Sequence, residues 1–93
     1  MSIKFKIFET EEFSKRLNKI NSSDRRFILN KLTSFVYPQV KEEPHFGQNI
    51  RKLVDYKPDT WRYRIGNFRI FYTIDDSSKI VSMLTIDNRK AAY

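Results

Sequence analysis

Three arginines close together in the chain form the group of side chains that is best suited to chemistry. Arg62 and Arg64 precede the pair Gly66-Asn67, and Arg69 follows it. A Gly-Asn pair between two β-rich runs favours a tight hairpin, which would place Arg64 directly opposite Arg69 and Arg62 on the same face. Like charges that face each other across two strands are destabilising, so this arrangement indicates a bound anion. A solvated outer face of the sheet is the alternative interpretation.

The opposite face of this hairpin is apolar and aromatic, and we expect it to pack beneath helices and so to fix the arginines outward. Its members are Trp61, Tyr63, Ile65, Ile70 and Tyr72. Phe71 and Thr73 alternate with the arginines. They are expected either to offer a surface for base stacking or to pack under the C-terminal tail.

An α+β fold is predicted for the elements that position the hairpin. Ile3 to Phe8 alternates apolar residues with lysines, as a half-buried strand does. Two helices follow, the first capped by Thr10 and the second by Ser22 or Ser23, and the second is expected to stop before Pro38. Their apolar stripes are Phe13, Leu17 and Ile20, and then Phe27, Ile28, Leu32, Phe35 and Val36.

The remaining segments complete a β-α-α-β-β-β order. Tyr37 to Asn49 is interpreted as a connecting loop, and Ile50 to Val54 as a short extended piece. A turn at Asp75 to Ser78 leads into a strand over Ile80 to Ile86. The expected fold has two helices on one face of a four-stranded, largely antiparallel sheet, whose other face is partly open. Residues 1–93 are expected to form one domain.

Composition and charge restrict the function classes. The chain has 18 Lys and Arg against 11 Asp and Glu, a formal charge of +7, which favours polyanionic partners such as RNA, DNA or an acidic protein. The start of the chain, Met1 to Phe5, lacks a long apolar run, so neither a signal peptide nor a membrane partner is expected and the protein is expected to be cytoplasmic.

Other kinds of chemistry lack the residues they need. The chain has no cysteine, which excludes disulfides and thiol chemistry. His45 is the only histidine and is expected to be a surface residue, so histidine-based catalysis and a multi-histidine metal site are not supported. The acidic pairs Glu42-Glu43 and Asp75-Asp76 are typical of solvated turns. No glycine-rich phosphate loop is present, and neither a cofactor nor a metal is expected.

Two segments resemble the RelE/ParE superfamily of toxins. Residues 61–72 follow its order of aromatic, basic, apolar, basic, apolar, Gly, any residue, aromatic, Arg, and then apolar residues and Tyr. Residues 86–93 are similar to the family ending, in which an Arg is followed four residues later by Tyr. The two-helix start also fits, so the resemblance covers almost the whole chain. Asp87-Asn88 departs from the Gly-His or Gly-Lys that many members have there, and Asp87 adds a negative charge beside the expected site.

The resemblance, closest to the RelE-like messenger-RNA interferases, implies a toxin of a type II toxin–antitoxin system. Such a toxin would be a metal-independent, ribosome-dependent endoribonuclease that cleaves messenger RNA in the A site and inhibits translation. Carried over by position, the catalytic residues are Arg62, Arg64, Arg69, Arg89 and Tyr93. The expected RNA-binding residues are Arg51, Lys52, Phe71 and Lys90.

The same resemblance implies partners and leaves alternatives. A RelB-like antitoxin would wrap the toxin and cover or distort the basic cleft, and the resemblance implies a toxin–antitoxin heterotetramer. The ribosome and messenger RNA are the expected targets. ParE-like members of the superfamily inhibit DNA gyrase instead, and fold does not decide between the two activities. An inactive RNA-binding remnant is the third interpretation.

Overall fold

A five-stranded mixed sheet is the framework of the protein, and the computed structural model describes residues 4–88. The strands are β1 (Lys6–Glu9), β2 (Ile50–Lys52), β3 (Trp61–Ile65), β4 (Phe68–Asp75) and β5 (Ile80–Asn88). They lie in the order β1-β5-β4-β3-β2, with β1 parallel to β5 and every other neighbouring pair antiparallel. The predicted α+β fold is confirmed. The prediction of four strands was one short, because the short extended piece after the loop pairs with β3 as β2.

The helices begin where polar side chains cap their first turns. They are α1 (Glu11–Lys19), α2 (Ser22–Lys31) and α3 (Tyr37–Glu42). Thr10 caps α1 as predicted, since its Oγ1 accepts a hydrogen bond from the backbone N–H of Phe13 at 3.2 Å. The cap of α2 is Asn21, whose Oδ1 accepts from the N–H of Asp24 at 2.9 Å. The prediction of Ser22 or Ser23 was wrong because both serines already lie in the first helical turn and asparagine caps equally well.

The second helical region continues past Pro38, where the sequence predicted a stop and a loop. A π-helical segment, Leu32–Val36, follows α2 directly and leads into α3. Pro38 is the second residue of α3 and directly follows the π-helical segment. It has no N–H and therefore donates no hydrogen bond to the preceding helical turn. The wider π-helical turn thus lets the chain accept the proline without ending the helix. Within the described residues, no helix is both long and apolar enough to cross a membrane.

The core lies between these helices and one face of the sheet, which we call the inner face. From the helices, Phe13, Ile28 and Val36 are each at most 1% exposed. The inner face contributes Trp61, Tyr63, Ile65, Phe68, Ile70, Tyr72, Val81, Met83 and Ile86, all of them buried. The aromatic and aliphatic face predicted for the hairpin is therefore confirmed as the packed face.

Two aromatic residues of the predicted helix stripe lie outside this core. Phe27 is 42% and Phe35 58% exposed, while Ile28, four residues before Leu32, is buried. A spacing of four keeps Ile28 and Leu32 on the line that faces the sheet, and Phe27 falls to its side. The ammonium of Lys31 lies 5.7 Å from the ring centroid of Phe27 and 4.7 Å from that of Phe35, so the two rings border a cation on the surface.

Hydrogen bonds from two inner-face tyrosines fix the helical layer on the sheet. The Tyr63 hydroxyl donates to Oε1 of Gln39 in α3 at 2.6 Å, and the Tyr72 hydroxyl donates to the carbonyl of Pro44 at 2.7 Å. Burial raises the pKa of both phenols, so both remain protonated donors at neutral pH. These contacts hold β3 and β4 with their other side chains directed away from the helices.

Candidate functional site

The outward face of β2, β3 and β4 carries four arginines, and we call it the arginine face. Arg64 stands directly opposite Arg69 across the hairpin, as the Gly66-Asn67 turn predicted. Two pairs further from the turn, and on the same face, Arg62 stands opposite Phe71 on β4. Side chains that pair across antiparallel strands lie about 5 Å apart at Cβ, so the hairpin arginines form one continuous cationic surface.

The added strand β2 extends this surface by one arginine. Arg51 pairs with Arg62, which gives both side chains the same side of the sheet. Its neighbour Lys52 pairs with Trp61 and so belongs to the inner side. The Lys52 ammonium lies 3.2 Å from Oδ2 of Asp59 and 5.5 Å from the Trp61 ring centroid. Of the two basic residues predicted to bind RNA on this strand, the structure brings Arg51 to the arginine face and places Lys52 apart from it.

A carboxylate of the chain itself occupies part of the arginine face. Asp87 pairs with Arg69 across β4 and β5, and the two side chains form a bidentate ion pair. Nε and Nη2 of Arg69 each donate to one oxygen of Asp87 at 2.9 Å. Both side chains are about one third exposed. The anion that the facing arginines require is therefore supplied in part from within the protein.

Arg64 has no comparable partner for one of its donors. Its Nε is buried and without a hydrogen-bond partner in the part of the chain that the structure describes. A groove of about 530 Å³ opens beside it between β3 and the helical layer, lined in part by Phe35, Gln39, Asn49 and Tyr63. This volume falls in the range of pockets that hold small molecules or single nucleotides. A buried cationic donor without an acceptor is costly and marks a place where an anion would be stabilising.

Two aromatic side chains lie on the same side of the sheet as the arginines. Phe71 is half-buried, and its ring centroid lies 5.8 Å from Cζ of Arg69. Thr73, two residues along β4, pairs with Ser82 of β5, which in turn pairs with Phe8 of β1. Phe8 is 57% exposed. Sequence reasoning did not single out Phe8, although its position in the alternation of the first strand, on the same side as Lys6, was a signal that this ring faces outward.

Three of the residues selected by resemblance lie outside the described residues. They are Arg89, Lys90 and Tyr93. The strand β5 ends at Asn88, immediately before Arg89, and its last residues run beside the Arg64–Arg69 row. The predicted roles of these three residues stay predictions.

The single histidine lies in a different charged cluster at the other end of the sheet. Nδ1 of His45 is 2.9 Å from Glu43 and Nε2 is 3.0 Å from Asp76, while the ring packs edge-on against Trp61. Burial alone would lower the pKa of His45, but the hydrogen bonds to the two carboxylates outweigh it and raise that pKa. The same contact lowers the pKa of Glu43. His45 is thus a partly exposed bridge between a loop and the β4–β5 turn, more tightly held by its neighbours than the sequence indicated.

The arginine face is equipped to bind and stabilise negative charge. Guanidinium groups remain protonated at neutral pH, hold phosphate oxygens in a fork of donors, and are poor proton donors or acceptors. Across residues 4–88, no cluster of three or more histidine, cysteine or acidic residues is arranged to hold a metal ion. The chemistry that the described arginines offer on this face is electrostatic stabilisation of negative charge.

Comparison with protein families decides the kind of protein that carries this face. The profile of the ParE toxin of type II toxin–antitoxin systems matches residues 7–93. The chain belongs to this toxin family. The resemblance to the RelE/ParE superfamily is thereby confirmed, and the chain is a toxin of a type II toxin–antitoxin system. No curated protein matches the chain.

Solved structures share the toxin's fold over nearly its whole length. The RelE-RelB complex of the archaeon Pyrococcus horikoshii matches with a TM-score of 0.71 at 20% identity, covering 96% of this chain and 99% of that one. A RelBE toxin–antitoxin complex of Mycobacterium tuberculosis gives 0.71 at 24% identity, covering 94% and 100%. An Escherichia coli RelE mutant in the free state gives 0.67 at 22% identity, covering 96% and 87%. At these identities the likeness establishes the fold.

Proposed function

We propose that this toxin is a ribosome-dependent endoribonuclease that cleaves messenger RNA in the A site and thereby inhibits translation. The observation that carries the proposal is the row formed by Arg64 and Arg69, with Arg62 and Arg51 in the next row of the same face. A phosphodiester backbone carries negative charges at a spacing that neighbouring strands can match, and single-stranded RNA is bound by basic grooves with bordering aromatic rings. Phe71 is such a ring, and Phe8 is an exposed ring farther away on the same side of the sheet.

The proposed reaction needs no metal and no external nucleophile. The ribose 2′ oxygen attacks the adjacent phosphorus and its proton passes to a base; the bond from phosphorus to the 5′ oxygen then breaks, and that oxygen takes up a proton. The pentavalent intermediate carries an additional negative charge, which Arg62, Arg64 and Arg69 would stabilise as preorganised cations. By resemblance, Arg89 is the proposed transition-state contact or proton donor, and Tyr93 is proposed to act beside the nucleophile. Guanidinium groups fit charge stabilisation better than proton transfer at the first two positions, because they hold their protons tightly.

A RelB-like antitoxin is the proposed partner. The solved relatives from Pyrococcus horikoshii and Mycobacterium tuberculosis are complexes of a toxin with its antitoxin. The formal charge of +7 favours an acidic chain, and the exposed arginine face is a surface that such a chain would neutralise. A heterotetramer of two toxins and two antitoxins is the proposed assembly.

Inhibition of DNA gyrase is the second candidate function. The family profile that matches the chain is that of the ParE toxins, and ParE-like members of the superfamily act on gyrase. A protein that acts only through contacts with gyrase has no chemical need for facing arginines on an open sheet, and this favours the ribonuclease. The two activities differ in target, so one assay separates them.

The test uses ribosomes programmed with a defined messenger RNA and maps the cuts by primer extension. The wild type is compared with Arg64→Ala and with Arg26→Ala, a matched control that removes one positive charge from an exposed position of α2. We expect cuts within the A-site codon, a loss of about a hundred- to a thousandfold in rate for Arg64→Ala, and little change for Arg26→Ala. Arg89→Ala and Tyr93→Ala test the two residues carried over by resemblance.

Intact message at an excess of toxin would overturn the ribonuclease proposal. A supercoiling assay with DNA gyrase is then the next measurement. Tight binding to programmed ribosomes without any cleavage would instead identify an inactive RNA-binding remnant.

A further inference from the structure

The ion pair between Asp87 and Arg69 lies where the proposed function requires a phosphate. Nε and Nη2 of Arg69 are the two parallel donors of its guanidinium fork, and both are bonded to Asp87 at 2.9 Å. A phosphate presents two oxygens to this fork in the same way as a carboxylate does. Every phosphate oxygen that uses these two donors must therefore take the place of an Asp87 oxygen.

The strand register makes Asp87 an effective occupant. Asp87 and Arg69 pair directly across β4 and β5, so the carboxylate reaches the fork without ordering any additional segment. A free phosphate must give up translational freedom and displace an anion that is already in place. At the same time Arg64, directly opposite Arg69, keeps a buried Nε without a partner among the described residues. Arg69 therefore has an anionic partner within the protein, whereas the Nε of Arg64 has none among the described residues.

We propose that Asp87 is an internal competitor for the anion site of the arginine face and that it restricts binding to chains of several phosphates. A single phosphate gains too little from Arg64 alone to displace the carboxylate. A polynucleotide that also contacts Arg62 and Arg51 gains enough, because each additional contact releases counterions. This inference rests on the proposed function for the identity of the ligand as RNA, and on the ion pair for the competition.

The test measures binding of a fluorescently labelled single-stranded RNA decamer by anisotropy, with the whole chain and without ribosomes. Asp87→Asn is expected to bind about fivefold more tightly than the wild type, since the neutral amide no longer holds the fork as an anion does. The plot of log affinity against log salt is expected to steepen by about 0.7, the value for one additional phosphate contact on a single strand.

Glu42→Gln is the matched control. It removes the same negative charge from another ion pair, with Lys4 at 2.9 Å, and is expected to change the affinity by less than about twofold because salt screens distant charges. In the background of Arg69→Ala, Asp87→Asn is expected to have no effect, since the two residues act on one interaction. Equal affinities for Asp87→Asn and the wild type, or equal gains for Asp87→Asn and Glu42→Gln, would overturn the inference.

A second measurement on the wild type covers the case in which Asp87→Asn does not fold. The NMR signal of the Arg69 Nε–H is followed during addition of the decamer and, separately, of inorganic phosphate at the same phosphate concentration. The inference requires the decamer to move the signal and inorganic phosphate to leave it in place, and a reversed result contradicts it. Neither experiment depends on cleavage, so the two proposals can fail separately. If Asp87→Asn binds the decamer more tightly but the toxin leaves messenger RNA intact on ribosomes, the ribonuclease proposal is rejected and the competition by Asp87 is supported.

Discussion

The two faces of the hairpin β3–β4 are built from alternating residues of the same strands and differ in how their polar groups are satisfied. On the inner face, the hydroxyls of Tyr63 and Tyr72 each donate to an acceptor within the protein. On the arginine face, Arg64 stands opposite another arginine and keeps a buried Nε without an acceptor among the described residues. The polar groups of the inner-face tyrosines are satisfied within the fold, whereas the arginine face keeps a donor that an anionic ligand would satisfy.

This difference predicts that substitutions on the two faces change different properties. Inner-face residues contribute packing, and their loss creates cavities and lowers stability. Arg64 faces another arginine, so its loss is expected to lower binding and to leave stability unchanged or slightly raised. Along a single strand, substitutions of inner-face residues should therefore change stability, and substitutions of the alternating arginine-face residues should change RNA affinity.

The largest expected effect is on the stability of the inner face. Ile70→Ala is expected to lower the free energy of unfolding by about 2–5 kcal/mol, because Ile70 is 0% exposed and its loss leaves a cavity under the helices. The measurement is urea unfolding followed by circular dichroism. Thr73→Ala, three residues along the same strand and on the other face, is the control and is expected to remain within about 1 kcal/mol of the wild type. Equal losses in the two variants would contradict the assignment of the faces.

Features of the arrangement that neighbouring residues determine could be predicted from sequence, and features that depend on distant packing could not. The register of the hairpin was predictable because Gly66 sets it, and its φ of 56° lies in the left-handed region that favours glycine. The inner and outer faces then followed from simple alternation. The four arginines could be identified as one group once β2 was paired with β3, and Arg51 was already a predicted RNA-binding residue.

The partner of Arg69 could not be predicted by counting residues outward from a turn. From the β4–β5 turn, regular pairing would bring Ile86 opposite Arg69, but the register shifts between Phe71 and Tyr72 and brings Asp87 there instead. A β-bulge adds one residue to one strand and so moves every later pair. The buried residues Met83 and Ile86 are three apart rather than two, and this break in the alternation was the available signal.

The helical layer shows a similar limit. Pro38 is a strong local signal for the end of a helix, yet the π-helical turn before it allows the helical path to continue to Glu42. Packing against the sheet decides this outcome, and a single sequence carries little information on it. The same holds for Phe27, whose exposure depends on which line of the helix faces the sheet.

A smaller effect is expected from the charged cluster that packs on the inner face at the far end of the sheet. His45 has a raised pKa and Glu43 a lowered one in the folded protein. The contribution of His45 is therefore fully present below its ordinary pKa of 6.5 and is lost as the pH rises through its higher folded value. That of Glu43 is present above its ordinary 4.5 and is lost as the pH falls through its lower folded value. Together they give greatest stability between these limits.

Thermal unfolding at a series of pH values measures this contribution. The wild type is expected to lose about 1 kcal/mol as the pH rises from 6 to 9, which corresponds to a fall of roughly 5 °C in melting temperature. His45→Gln should remove most of this slope, and Asp76→Asn should remove part of it. An unchanged slope in His45→Gln would show that another group is responsible. RNA affinity of the folded protein is expected to be the same in both variants, because His45 does not contact the arginine face.

The smallest effect gives the sharpest comparison, since two adjacent residues of β2 lie on opposite sides of the sheet. Arg51 pairs with Arg62 on the arginine face, whereas the Lys52 ammonium is held near Asp59 and Trp61. Arg51→Gln is expected to weaken binding of the RNA decamer about threefold and to reduce the salt slope by about 0.7, because one phosphate contact is lost. Lys52→Gln removes the same charge and is expected to change affinity less than about 1.5-fold. Equal losses in the two variants would mean that RNA affinity depends on net charge and not on which side of the sheet the charge lies. That result would contradict the assignment of RNA binding to the arginine face.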